Sequence, residues 1–143
     1  MRNLLICLSI LIISATARKR IIGITQSARI NGTLMCNLKP AANVKVKLYH
    51  DDPARIDNLL AADRTDSNGH FELQGYTNEI TTFGPKLNIY HNCRDEMMPC
   101  LRKITIKIPN NYISLGKKAR KLYDAGIIQL DEKFKGEIRD CIN

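Results

Sequence analysis

What most limits the way this chain can fold lies in residues 85–109, PKLNIYHNCRDEMMPCLRKITIKIP, where a polar turn with a cysteine on each side joins two runs of alternating apolar residues. Leu87 and Ile89 point one way and Lys86, Asn88 and Tyr90 the other, the two-residue period of a strand buried on one face. Ile104, Ile106 and Ile108 alternate in the same way with Lys103, Thr105 and Lys107, and their β-branched content selects strand over helix. A hairpin-like pair in a half-buried sheet follows. Cys93 and Cys100 lie just beyond the strand ends, where a covalent tie would hold this end of the sheet to another part of the chain.

Residues 1–17, MRNLLICLSILIISATA, have one early arginine, an apolar run too short to span a bilayer and an A-x-A ending at Ala17, the pattern of a secretory signal peptide. No later segment is apolar for long enough to make a membrane helix. Cleavage would leave residues 18–143 as one domain, with four cysteines, Cys36, Cys93, Cys100 and Cys141. An even number in a small secreted chain predicts two disulfides, with all three connectivities open. The seven-residue spacing of the nearest pair, with proline inside, does not suit zinc, and no metal or cofactor is expected.

Cleavage also leaves 21 basic and 14 acidic residues, a net charge of +7. In an extracellular protein that charge favours anionic lipid headgroups, sulfated glycans or acidic protein surfaces over nucleic acid.

Along the chain, a first strand is expected over residues 24–34, bent near Gly32, and Asn31-Gly32-Thr33 is a glycosylation sequon within it. A turn over 36–43 leads to a strand with Val44, Val46 and Leu48 on one face and Lys45, Lys47 and Tyr49 on the other. Strands at 59–65 and 70–74 flank Asp66-Ser67-Asn68-Gly69, a tight-turn sequence whose aspartate can accept backbone N–H groups. Residues 75–84 are expected to be a looser connection with room for a short extended piece at 77–82, and 110–121 a solvated basic loop. A last strand over 122–130 places Ile128 and Leu130 on an outward face, open to a subunit contact, and the tail from 131 has no period. About seven short strands with regular turn signals predict an all-β antiparallel sandwich of two sheets.

Three features then converge: Thr65-Asp66-Ser67-Asn68-Gly69-His70-Phe71, the segment from Pro85 to Cys93 with Pro99-Cys100 and ITIKIP, and Cys141 near the end. Together they resemble the nematode transthyretin-like family over nearly all of the mature chain. The resemblance implies a secreted, prealbumin-like sandwich and assigns no chemistry. Hydroxyisourate hydrolases share that fold and use a C-terminal Tyr-Arg-Gly-Ser, which this chain lacks. His50, His70 and His91 fall at strand ends or a turn exit, where they are expected to be surface or edge groups, and no catalytic residue is assigned.

If the strands at 44–49, 86–90 and 102–108 share one sheet, as the resemblance implies, Lys45, Lys47, Lys86, Lys103 and Lys107 form one basic outer face. The function expected is extracellular binding or bridging, with that face on an anionic lipid, glycan or protein. The alternative is an oligomeric carrier of a small apolar ligand, using Ile128 and Leu130, and the least favoured is a hydrolase.

Overall fold

A computed structural model describes residues 23–52, 56–79 and 82–143. The expected leader at 1–17 lies outside them. The strands are β1 (Ile24–Cys36), β2 (Lys39–Pro40), β3 (Lys45–His50), β4 (Asn58–Arg64), β5 (His70–Glu79), β6 (Pro85–His91), β7 (Leu101–Lys107), β8 (Ser114–Leu115), β9 (Tyr123–Gln129) and β10 (Ile138–Asp140). They form the expected sandwich. One sheet has the order β10-β7-β6-β3-β4, and the other is centred on β1, which pairs antiparallel with β2, β5 and β8 and parallel with β9. Alternate residues from both sheets, among them Ile30, Leu34, Leu48, Leu87, Ile89 and Ile104, close the core between them.

Three of the strands, β2, β8 and β10, have only two or three residues, too few to display a period. This is why the tail from 131 looked irregular, although β10 lies along β7, and why the loop at 110–121 hid both β8 and a 3-10 turn at Asn110–Tyr112.

Glycines mark two other departures from expectation, in β5 and β9, and one close approach in β1. β5 continues through Gly75 to Glu79, and Gly75 leaves a gap in its apolar face where the sheets approach so closely that a Cβ would meet that of Leu60 at 2.7 Å. β1 runs through Gly32 as one strand: its ladder with β5 is continuous from Ile24 to Thr33, and the missing side chain makes room for the Phe71 ring. In β9, Gly126 at φ +72° accompanies a register shift against β1, and the extra residue reverses the alternation. Tyr123 and Ala125 lean on the core before it, and Ile128 and Leu130 are buried after it at 6% and 0% exposure. The outward face expected of Ile128 and Leu130 is therefore absent, and Ile127 is exposed in their place.

The turn between β4 and β5 forms as its residues predict. Asp66 Oδ1 accepts the N–H groups of Asn68 and His70, both at 2.9 Å, and Gly69 has φ +76°. Gly69 is also pressed onto β1, where its Cβ would fall 2.3 Å from the Leu34 carbonyl oxygen, whereas nothing lies within 4 Å of a Cβ at Gly126. Gly126→Ala should therefore cost about 1 kcal/mol, from its left-handed backbone alone. Gly69→Ala adds a backbone clash and should cost more than about 2 kcal/mol. Urea unfolding of the two variants checks the ranking, and equal losses would contradict it.

Candidate functional site

Register decides which lysines share a face. Across β3, β6 and β7, Lys45, Tyr90 and Lys103 form one row, Lys47, Asn88 and Thr105 the next, and Tyr49, Lys86 and Lys107 a third. All five expected lysines therefore stand on the outer side of this sheet. β4 adds Arg64 beside Lys45, a sixth cation that the sequence concealed because LLAA in that strand has no alternation.

The cations are not equivalent. Lys86 bonds Asp57 at 2.5 Å and lies 3.6 Å from Asp51, and Lys103 meets Asp140 of β10 at 3.3 Å. Burial by itself would lower the Lys86 ammonium, but the bond and charge of Asp57 outweigh it and hold the pKa above the usual lysine value. Lys45 donates to Asn143 Oδ1, Lys47 lies 5.3 Å from the centre of the Tyr90 ring and Arg64 donates to the Asn43 carbonyl. Among the described residues, Lys45, Lys47, Arg64 and Lys107 have no carboxylate partner. A polar depression of about 360 Å³ opens at this edge, lined by Lys45, Arg64, Tyr90 and His91 among others.

The cysteines pair as Cys36–Cys93 and Cys100–Cys141. The first joins β1 of one sheet to the end of β6 in the other, and the second ties the tail to the start of β7. Buried Arg102 lies between them and donates to the carbonyls of Cys93, Leu130 and Glu132 and to the Glu137 carboxylate.

Two histidines expected at the surface are buried, because each ends the inward row of its strand. His50 is 0% and His91 4% exposed, whereas His70 is exposed. His91 Nδ1 accepts the Cys93 N–H at 3.0 Å, and burial, reinforced by the charge of Arg102, pushes its pKa down to about 4. His50, Asp52 and Glu79 bring ligand-type atoms within 4.8 Å of one another. The Gly84 N–H donates to His50 Nδ1 at 3.2 Å, which assigns the proton of the neutral ring to Nε2. That tautomer offers no lone pair to a metal at Nε2, which is buried and has no hydrogen-bond partner among the described residues. Asn31 is on the outer side of β1, half-buried between Glu72 and Asp124.

Residues 31–109, which hold the Cys36–Cys93 link and all five lysines, match the model of the transthyretin-like family. The chain belongs to that family. It is similar to three Caenorhabditis elegans proteins: transthyretin-like protein 5, 52% identical over 95% of this chain and 99% of that one; transthyretin-like protein 33, 48% identical over 83% and 84%; and transthyretin-like protein 2, 42% identical over 95% and 96%. None of the three is named as an enzyme. In this transthyretin-like chain β9, β10 and the basic loop at 117–121 lie beyond the matched segment.

A histidine held neutral in the folded state makes stability depend on pH. Unfolded His91 would take up a proton near pH 6.5 and folded His91 only near 4, so its contribution is complete above about pH 6.5 and is lost as the pH falls toward 4. The loss should be on the order of 2–3 kcal/mol. Glu137, whose pKa is held down by its Arg102 bond, loses stability in the same direction at lower pH. Chemical unfolding from pH 7 to 4 should show the decline, and His91→Gln should flatten the part above pH 4.5. An equally steep decline in the variant would assign it elsewhere.

Proposed function

We propose that this transthyretin-like protein is a secreted, extracellular binding or bridging protein that docks the outer face of its β3-β6-β7 sheet on an anionic surface. A broad plane of cations matches anionic phospholipid headgroups best, and an anionic glycan or acidic protein surface has the same chemistry. The observation that carries this reading is the register that puts Lys45, Lys47, Arg64 and Lys107 on one face with no carboxylate partner among the described residues, while Lys86 and Lys103 are matched by Asp57 and Asp140. Paired lysines hold the fold, and unpaired ones are available to a partner. The two disulfides suit an oxidising compartment, and no helix of the described residues is long and apolar enough to cross a membrane. Asn31, on the opposite sheet, is the proposed glycosylation site, and a glycan there would leave the lysine face open.

Each basic side chain near an acidic membrane contributes at most about 1 kcal/mol, so Lys45→Gln/Lys47→Gln/Lys107→Gln should weaken binding to anionic vesicles by roughly 30- to 100-fold. Co-sedimentation with phosphatidylcholine vesicles, with and without an anionic phospholipid, measures the effect. Binding that is unchanged by the substitutions, or independent of the anionic lipid, would refute the proposal. Lys86→Gln should instead lower stability with less effect on binding, because its charge is already matched.

A further inference from the structure

The segment Gly116-Lys117-Lys118-Ala119-Arg120-Lys121 places four exposed cations within five residues, and none of them forms an ion pair among the described residues. Its backbone is held in place. The Gly116 N–H donates to the Thr25 carbonyl of β1 at 2.9 Å, the Arg120 N–H to Ser114 Oγ at 3.0 Å and Lys121 Nζ to the Asn111 carbonyl at 2.8 Å. Ala119 is buried in the middle as an anchor, and Gly116, at φ +91°, makes the entry turn. A concave surface of about 350 Å³ results, lined by residues 115–120. At its edge Lys117 Nζ lies 5.6 Å from the centre of the half-exposed Tyr76 ring.

We infer that this loop is a separate binding site for a linear sulfated glycan. A short, dense row of cations is the usual footprint for such chains, and the tethers reduce the ordering cost of binding. The hollow is large enough for one sulfated sugar unit, with ammonium and guanidinium groups at its rim. The shape argues against a membrane here. On the outer face of the adjoining β1 sheet Glu72 is neutralised by Arg29, but exposed Asp124 has no ion-pair partner among the described residues and would repel an anionic plane, whereas a narrow chain can follow the loop and avoid it. The site does not depend on the lysine face of the other sheet.

The test is binding of the full mature chain to heparin as a function of salt, with the variant Lys117→Gln/Lys118→Gln/Arg120→Gln/Lys121→Gln. By counterion release, removing four contacts should reduce the slope of log K against log salt by roughly 3. An all-arginine version of the three lysines should keep the slope, and the Lys45/Lys47/Lys107 glutamine variant should still bind heparin. Hyaluronan, which carries carboxylates and no sulfate, should bind much more weakly. An unchanged slope in the folded loop variant, or equal binding of heparin and hyaluronan, would overturn the inference. Loss of heparin binding only in the sheet-face variant would also overturn it, while leaving the lysine face of the second sheet in place.

Discussion

The organisation of this molecule depends on one buried guanidinium. Arg102 has five N–H donors and all five are used: Nε and Nη2 hold the Glu137 carboxylate, Nη1 reaches the carbonyls of Cys93 and Leu130, and Nη2 also reaches that of Glu132. An unmatched charge at this depth would cost several kcal/mol, and here one carboxylate and three carbonyls offset it. The groups so collected come from the turn after β6, the end of β9 and the tail. The tail's own strand, β10, pairs through only three residues, too few to stay in place unaided, and Cys100–Cys141 with Arg102–Glu137 hold it there. Because β10 is held, Asp140 stands beside Lys103 and removes one charge from the outer face. A buried ion pair thus sets the electrostatics of a surface on the other side of the sheet.

The fold was legible wherever side chains alternated, as in β3, β6 and β7, because a strand with one buried face writes its period into the sequence. It was illegible where backbone geometry interrupted that record. Gly126 reverses the alternation of β9 and Gly75 leaves a blank in that of β5, so Ile128 and Leu130 looked exposed and β5 looked short. The basic face was legible for its five lysines, yet its working set was not. Arg64 lies in a strand without alternation, and the partners of Lys86 and Lys103, Asp57 and Asp140, are 29 and 37 residues away in the chain. The cysteine pairing was closed to spacing arguments for the same reason: Cys36 and Cys93 meet only after two sheets have stacked.

The basic excess of this chain is better understood by position than by total. On strands, where neighbours lie about 5 Å apart, several cations have drawn carboxylates into pairs, as Arg29 has with Glu72 and Lys86 with Asp57. The loop at 117–121 is paired with no strand, and its cations form no ion pair among the described residues. The proposed sheet-face site and this loop are separated by the sandwich, whose core alone is about 10 Å thick. That is comparable to the screening length of roughly 8 Å at physiological salt, so each patch is sensed by its own partner with little influence from the other. One rigid domain could then hold two anionic partners at once without their repulsion loosening either contact, a physical basis for bridging that requires neither an oligomer nor a moving part.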